Sequence, residues 1–452
     1  MTPDVARAPR ARSPELVMDR RDPGRWAELV QRSWERAPAR AALPTLIADD
    51  ASALPALFRA TLQACEPFRA GTRFGAIPDV RFFTGDSQLR APGPLLPRAA
   101  DRSLLRYVQR VRAQLHPDGF QLLVSHPQVL SGALWMSLHQ VLAALCARVG
   151  VPVLPVACEL LVGQWRRTPR AKVVRPHRAA LTLVLAGELT VGGPATTGAR
   201  GAARSTLTAR AGQLVYWPAR QAGAAGQRVE RPLLDASPTG CVALRLWLPV
   251  HGSRLPDALK ELVTQMVDRE LADHEAVHYL TYPPPVHATR GHLADAPPLQ
   301  RAARQVHRVA RSAELRRAAQ ITWARRVSAC GLEPAAAPLP AAPLAGGDTL
   351  SVLATPVQLA MGQGLAVWAV NGHAFTVPDG RAARRLWAAL SAGPPRTVRA
   401  LLGEAKARGE ALPPRQAVEL LQTLVQLRAL AVTPGRRAAG RQARRAPARR
   451  RA

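Results

Sequence analysis

The stretch Ala211–Gly223, AGQLVYWPARQAG, decides how the chain is read, together with the apolar run His177–Thr190 that precedes it. Gly212 opens a turn, and Leu214 to Trp217 bring the β-branched and aromatic character of a strand. Pro218 cannot donate to a ladder and ends that strand. Val151–Trp165, His177–Thr190, Thr206–Pro218 and Gly240–Pro249 all read as short β segments separated by Gly- or Pro-marked turns. Even spacing of short strands predicts a sandwich or barrel, here a jelly roll.

On the N-terminal side the periodicity is helical. Trp26, Leu29, Val30 and Trp34 mark one helical face, and Leu54, Leu57, Phe58 and Leu62 another. Val80–Pro97 reads as turns and Phe120–Ser125 as a strand. Asp101–Leu115 reads as a helix with Asp101 as its acidic cap. Leu134–Val149 is apolar almost all round and stops at Gly150, so it is expected to be a buried helix, with His139 a hydrogen-bonded core histidine.

On the C-terminal side Leu255–Leu271 and Pro297–Ser328 are again helical in pattern, and EPAAAPLPAAPLAGG at Glu333–Gly347 is a linker by composition. Two β-like runs then meet at Asn371-Gly372, a hairpin dipeptide. Helices over Thr397–Arg408 and Arg415–Arg428 and a short apolar segment, Ala429–Val432, follow. The expected protein is therefore α+β. Its parts are a disordered basic arm (1–23), a mainly helical part (24–150), a jelly roll (151–250), a helical segment (251–332), the linker (333–347), a winged-helix-like domain (348–434) and a disordered Arg-rich tail (435–452).

With 452 residues, 47% of them apolar, the chain can bury a sizeable core. A formal charge of +31, carried mainly by arginine, favours polyanionic partners: nucleic acid, a ribosome or an acidic protein. The abundance of Ala, Arg and Pro, with one asparagine, Asn371, indicates that part of this excess is compositional. Arg436, Arg437, Arg441, Arg444, Arg445, Arg449, Arg450 and Arg451 make the tail a nonspecific polyanion binder. Five cysteines without a CxxC spacing predict reduced thiols, with neither a disulfide framework nor a zinc knuckle. The start has no apolar signal region and no run of 18 apolar residues occurs, so a cytoplasmic protein without a membrane span is expected.

GQWRRTPRAKVVRPHRAALTLVLAGELTV, from Gly163 through Thr168 and Gly187, followed by GQLVYWPARQAG, resembles the JmjC-type cupin oxygenases of bacteria. The resemblance implies a double-stranded β-helix (jelly-roll, cupin) fold with flanking helices and a C-terminal winged-helix-like part. It also implies iron(II)- and 2-oxoglutarate-dependent hydroxylation, in some members of ribosomal proteins. The iron site of that family is an HxD pair and a later histidine. The family spacing places the pair at Val174 and Pro176, or at Val173 and Arg175, and the third ligand at Gly223. His177 is near, but Ala179 stands where its acid would be. The family's Gly-Asp turn is Gly212-Gln213, and its basic pair is Glu188-Leu189.

The chain therefore reads as a degenerate, non-catalytic relative that binds or scaffolds a protein or peptide, a ribosomal one among the candidates, with no cofactor. Its pocket candidates are His177, Gln213, Tyr216, Trp217, Arg245 and Trp247. Alternation along Cys241–Leu248 puts Arg245 on one side with Ala243 and Trp247, where it either clamps a carboxylate inside the barrel or is solvated outside. One alternative is an active iron(II)/2-oxoglutarate protein hydroxylase with His177 as its surviving imidazole. A second is a nucleic-acid- or ribosome-binding protein, with Arg415–Arg428 as the candidate recognition helix. A homodimer is left open. His274-Glu275-Ala276-Val277-His278 fits HExxH, yet Pro283-Pro284-Pro285 stops any helix, and the match reads as chance despite His287, His292 and Glu314 as conceivable third ligands.

Overall fold

The computed structural model describes residues 15–17, 23–42, 53–115, 119–168, 177–192, 206–222, 228–230, 233–250, 259–260, 262–267, 297–362, 365–378, 380–407 and 412–435. The chain divides into two compact units, residues 1–252 with 330–337 and residues 253–329 with 338–452. One boundary, at Ala337, falls inside the proline-rich run read as a linker.

The first unit is built on strands β1 (Glu15–Val17), β2 (Ala39–Ala42), β3 (Asp79–Thr84), β4 (Ser87–Leu89), β5 (Phe120–Ser125), β6 (Ala157–Trp165), β7 (Arg178–Gly192), β8 (Thr206–Arg210), β9 (Gln213–Trp217) and β12 (Leu234–Pro249). β10 (Arg220–Ala222) and β11 (Arg228–Glu230) form a separate hairpin. The sheet runs β1-β2-β9-β7-β12-β6-β5-β3-β4, with β8 also on β7. Only β1 and β2 pair in parallel; the other pairs among the described residues are antiparallel. Helices α1 (Pro23–Ser33), α2 (Ala53–Cys65), α3 (Leu104–Leu115) and α4 (Gly132–Val149) accompany it.

Both faces of β12 are buried, which is why its sequence is almost continuously apolar. Val242, Leu244 and Leu246 are fully buried on the face shared with α3, which packs on β6 and β12. On the other face Cys241, Ala243 and Trp247 share one core with Phe83, Leu123, Leu161, Val184, Val215 and Trp217 from five further strands. Residues from so many strands meet only because the sheet curls around that face.

The curl is made where Gly163, Cys241 and Gly187 lie in register across β6, β12 and β7, beside a bulge in β12 between Ala236 and Cys241. A side chain at Gly163 would collide with the carbonyl oxygen of Phe120, and one at Gly187 with that of Gly240. Gly187 also adopts φ +74°, a conformation that disfavours other residues. The strand read over His177–Thr190 is β7, which runs through Gly187 to Gly192.

Several local expectations need correction. β1 lies within the stretch read as a basic arm, and α1 begins at Pro23. Val80–Pro97, read as turns, contains the β3–β4 hairpin, because its Phe82 and Phe83 are packed on β5. Asp101 does not cap α3. Ser103 Oγ accepts the N–H of Arg106, while Asp101 accepts from Arg110 Nε (2.6 Å), Arg110 Nη2 (3.0 Å) and the Arg98 N–H (2.9 Å). Burial pushes the Asp101 carboxyl upward, but the hydrogen bonds from Arg110 and Arg98 outweigh it and hold the group below the usual carboxylate range. Helix α4 begins at Gly132 behind a Ser131 cap and ends at Gly150 as read. It is long and apolar enough to cross a membrane by length and composition, and its Leu138, Val141, Leu142 and Leu145 are buried within the protein.

The second unit begins with residues 259–260 and 262–267, which are helical. Then come α5 (Pro297–Arg311) and α6 (Ala313–Ser328), a helix pair where one continuous pattern was read, interrupted at Ser312, which caps α6. Two three-stranded sheets follow: β14 (Val357–Gly362), β15 (Leu365–Val370) and β16 (His373–Val377) in a meander, and β17 (Arg396–Thr397), β13 (Thr349–Val352) and β18 (Leu430–Thr433) in the order β17-β13-β18. Asn371 and Gly372, at φ +49° and +83°, make the β15–β16 turn as their sequence predicts. Helices α7 (Gly380–Ser391), α8 (Val398–Ala407) and α9 (Pro414–Gln426) share a core with Leu350, Trp368 and Leu430. α7 was not anticipated, although GRAARRLWAALS places Ala383, Leu386, Trp387 and Leu390 on one helical face.

Candidate functional site: a polar cluster inside the curved sheet

Strand registry places one polar row across the concave face. Ser125 stands opposite Glu159, Glu159 opposite Arg245, Arg245 opposite Thr182, and Thr182 opposite Val215. Ser125, Glu159, Arg245 and Thr182 are all buried. In the adjacent row Ala157, Trp247, Ala180 and Trp217 face one another. The charged centre is thus walled on one side by two indoles.

Arg245 organises this row. Its Nη1 donates to Asp235 Oδ2 at 2.6 Å, its Nε donates to Thr182 Oγ1 at 3.0 Å, and its guanidinium lies 5.5 Å from the Trp247 ring centre. Asp235 sits ten positions earlier on the same strand. A straight strand would separate the two by roughly 33 Å, so the ion pair exists only because β12 folds back at its bulge. Asp235 Oδ1 also accepts from Trp165 Nε1 (2.9 Å) and Thr168 Oγ1 (2.9 Å), and the Asp235 N–H donates to Thr168 Oγ1 (2.6 Å). Glu159 accepts from Trp247 Nε1 at 2.6 Å. A buried charge is stable only when paired and hydrogen-bonded, and this arrangement meets that condition for Asp235. Arg245 Nη2, Trp217 Nε1 and both amide atoms of Gln121 are buried without a hydrogen-bond partner among the described residues.

The pocket residues expected from sequence separate accordingly. Arg245, Trp217 and Trp247 do share the concave face, and the solvated alternative for Arg245 is excluded by its 1% exposure. Tyr216 points the other way: its hydroxyl accepts the Glu35 N–H at 2.9 Å and its ring stacks on Trp34 at 5.4 Å. Period-two alternation requires this once Val215 and Trp217 face inward. Gln213 caps the β8–β9 turn, its Oε1 accepting the Arg210 N–H at 2.8 Å. His177 stands just before β7 at φ +58°, and its carbonyl accepts the Val250 N–H. The eight tail arginines and the HExxH segment lie outside the described residues.

Asp235, Glu159 and Thr182 were missed as site residues. Glu159 was detectable as a lone acid at alternate spacing with Leu161, Gly163 and Trp165. Thr168 was noticed as part of a motif, and its contact is now seen to be Asp235.

An iron(II) site does not fit these residues. Iron of this kind takes two imidazoles and a carboxylate, whereas the two carboxylates on the concave face, Asp235 and Glu159, are engaged by Arg245, Trp165, Thr168 and Trp247. The segments PRAKVVRP (169–176), GPATTGARGAARS (193–205) and GAAGQ (223–227) contain no His, Cys, Asp or Glu. Among the described residues no group of three such side chains could hold a metal ion.

No protein-family description matches the chain, and no curated protein does. Among solved structures the chain is similar to the ribosomal oxygenase YcfD of Escherichia coli, at 12% identity and a TM-score of 0.44 over 90% of this chain and 98% of that one. It is also similar to the same protein in complex with cobalt and 2-oxoglutarate, at 13% identity and a TM-score of 0.42 over the same shares. A shorter likeness, 19% identical with a TM-score of 0.15, is to a putative ethanolamine utilization protein EutQ from Salmonella typhimurium, over 21% of this chain and 58% of that one.

Proposed function

We propose that the chain is a JmjC-like, jelly-roll protein that binds or scaffolds a protein or peptide and has no iron-dependent activity. The observation that supports this most is the Arg245–Asp235 ion pair, braced by Trp165, Thr168 and Thr182, in the interior where an oxygenase needs open metal and cosubstrate positions. Arg245 Nη2 and Trp217 Nε1 remain as buried donors for a small acceptor group on whatever enters the face. The partner is a peptide or protein, ribosomal proteins being the candidates the sequence resemblance supplies, and β13, β17, β18 and α7–α9 are read as its winged-helix-like companion.

The test is a thermal-shift titration with manganese(II) and 2-oxoglutarate together. The expected result is no stabilisation beyond that of either alone. A holoenzyme with ligand at a hundred times its Kd would gain about 2.7 kcal/mol, and such a gain, or conversion of 2-oxoglutarate to succinate with iron(II), would overturn the reading.

A second reading, polyanion binding, is favoured by a separate observation. Arg304, Arg308 and Arg311 recur at helical spacing on α5, and Arg316 and Arg317 follow on α6. All five are exposed, and among the described residues none forms an ion pair.

A further inference from the structure

Helix α4 and the segment Cys330–Ala337 bring three chemically capable side chains to one place in the first unit. His139 and Cys146 lie seven positions, two helical turns, apart on α4 and so share a face. Cys146 Sγ lies 3.7 Å from the Cys330 carbonyl oxygen, and both Cys146 and His139 bear on the ionisation of the Cys330 thiol. Both cysteines and His139 are half-buried. The segment is held in place by Val156 N–H to Gly331 O (2.8 Å) just before β6 and by the Gln128 side chain to Glu333 O (3.4 Å). Cys330 itself has φ +49°, a left-handed conformation that is costly for a residue with a Cβ.

The remaining cysteines are a contrast within the same chain. Cys65, Cys158 and Cys241 are fully buried. Burial drives the Cys65 thiol up to about 12 and raises that of Cys158 as well, so both are inert. The Cys330 thiol moves the opposite way. The interaction with Cys146 lowers it most, burial opposes, and His139 lowers it further, so Cys330 is the more readily ionised thiol of the two; Cys146 is correspondingly raised.

We propose that Cys330 and Cys146 are a peroxide-reactive dithiol, with Cys330 as the attacking sulfur, His139 as its positioning residue and Cys146 as the resolving thiol. The Cys330 thiolate attacks one oxygen of hydrogen peroxide and the O–O bond breaks. The departing hydroxide takes a proton and leaves as water, and Cys330 becomes a sulfenic acid. Cys146 then attacks that sulfur, the S–O bond breaks, and a second water carries away the Cys146 proton. Two thiols lose two electrons to one peroxide, and a Cys146–Cys330 disulfide remains. The last turn of α4, which holds Cys146, is where the backbone adjusts most easily to bring the sulfurs to bonding distance.

The experiment uses the full-length chain at neutral pH. With limiting iodoacetamide and peptide mass spectrometry, Cys330 is expected to alkylate at least about tenfold faster than Cys65, Cys158 and Cys241, as its thiolate character requires. Equimolar hydrogen peroxide should yield a peptide pair joined through Cys146 and Cys330. Cys146→Ser should instead leave a Cys330 sulfenic acid trapped by dimedone, and His139→Gln should slow Cys330 alkylation several-fold with an unchanged melting temperature. Alkylation of Cys330 no faster than the buried cysteines, or a peroxide-induced disulfide between any other pair, would overturn the proposal, and this can be judged without loss of fold because the first two measurements need no variant.

Discussion

At the scale of single residues, the Arg245–Asp235 pair is the strongest commitment the first unit makes. Both side chains are essentially unexposed, at 1% and 0%, so removing either partner strands a buried charge. Arg245→Met or Asp235→Asn should each destabilise the protein by about 3–5 kcal/mol, read from urea unfolding. The Arg245→Met/Asp235→Asn double variant should recover part of that loss, since it removes both charges. Thr168→Val should cost about 1 kcal/mol, the order of one hydrogen bond. Asp101 adds a pH dependence. Its folded carboxyl is held low, so its contribution is present above the ordinary carboxylate range and is lost as pH falls through the lowered value. The stability of Asp101→Asn should therefore lie below that of the parent at neutral pH and converge on it as the solution is acidified into that range.

At the scale of elements, the fold turns on three strands that bend together. Gly163 and Gly187 are required because neighbouring carbonyl oxygens occupy the space a Cβ would need. Gly163→Ala and Gly187→Ala should each lower the melting temperature strongly or prevent soluble folding, the strain being about 1–3 kcal/mol before the backbone collision is counted. Gly150→Ala is the matched comparison, positive in φ but with open space around it, and should cost less in the same melt. The helices were more readily legible. α2, α3 and α4 follow from apolar spacing, because a helix needs only its neighbours in sequence to form its hydrogen bonds. α7 was passed over, and β3–β4 was read as turns, because a short strand is defined by the partner across the sheet rather than by its own residues.

At the scale of the whole molecule the question is what +31 charges do. If α5 and α6 contribute to polyanion binding, affinity for a homopolymeric single-stranded RNA should fall linearly in log–log form with salt. Replacing Arg304, Arg308, Arg311, Arg316 and Arg317 by alanine should reduce that slope by about 0.7 for each phosphate no longer neutralised. An unchanged slope in filter binding would remove these helices from the interface. The sequence alone determined the mixture of helices and antiparallel strands, the helix faces and the Asn371-Gly372 hairpin, since each depends on local periodicity or on one residue's backbone freedom. Which face of β12 looks inward, and that Asp235 meets Arg245 across a folded strand, only the tertiary structure decided. Alternation specifies two faces without saying which is concave, and a contact made by bending a strand leaves no trace in the spacing along it.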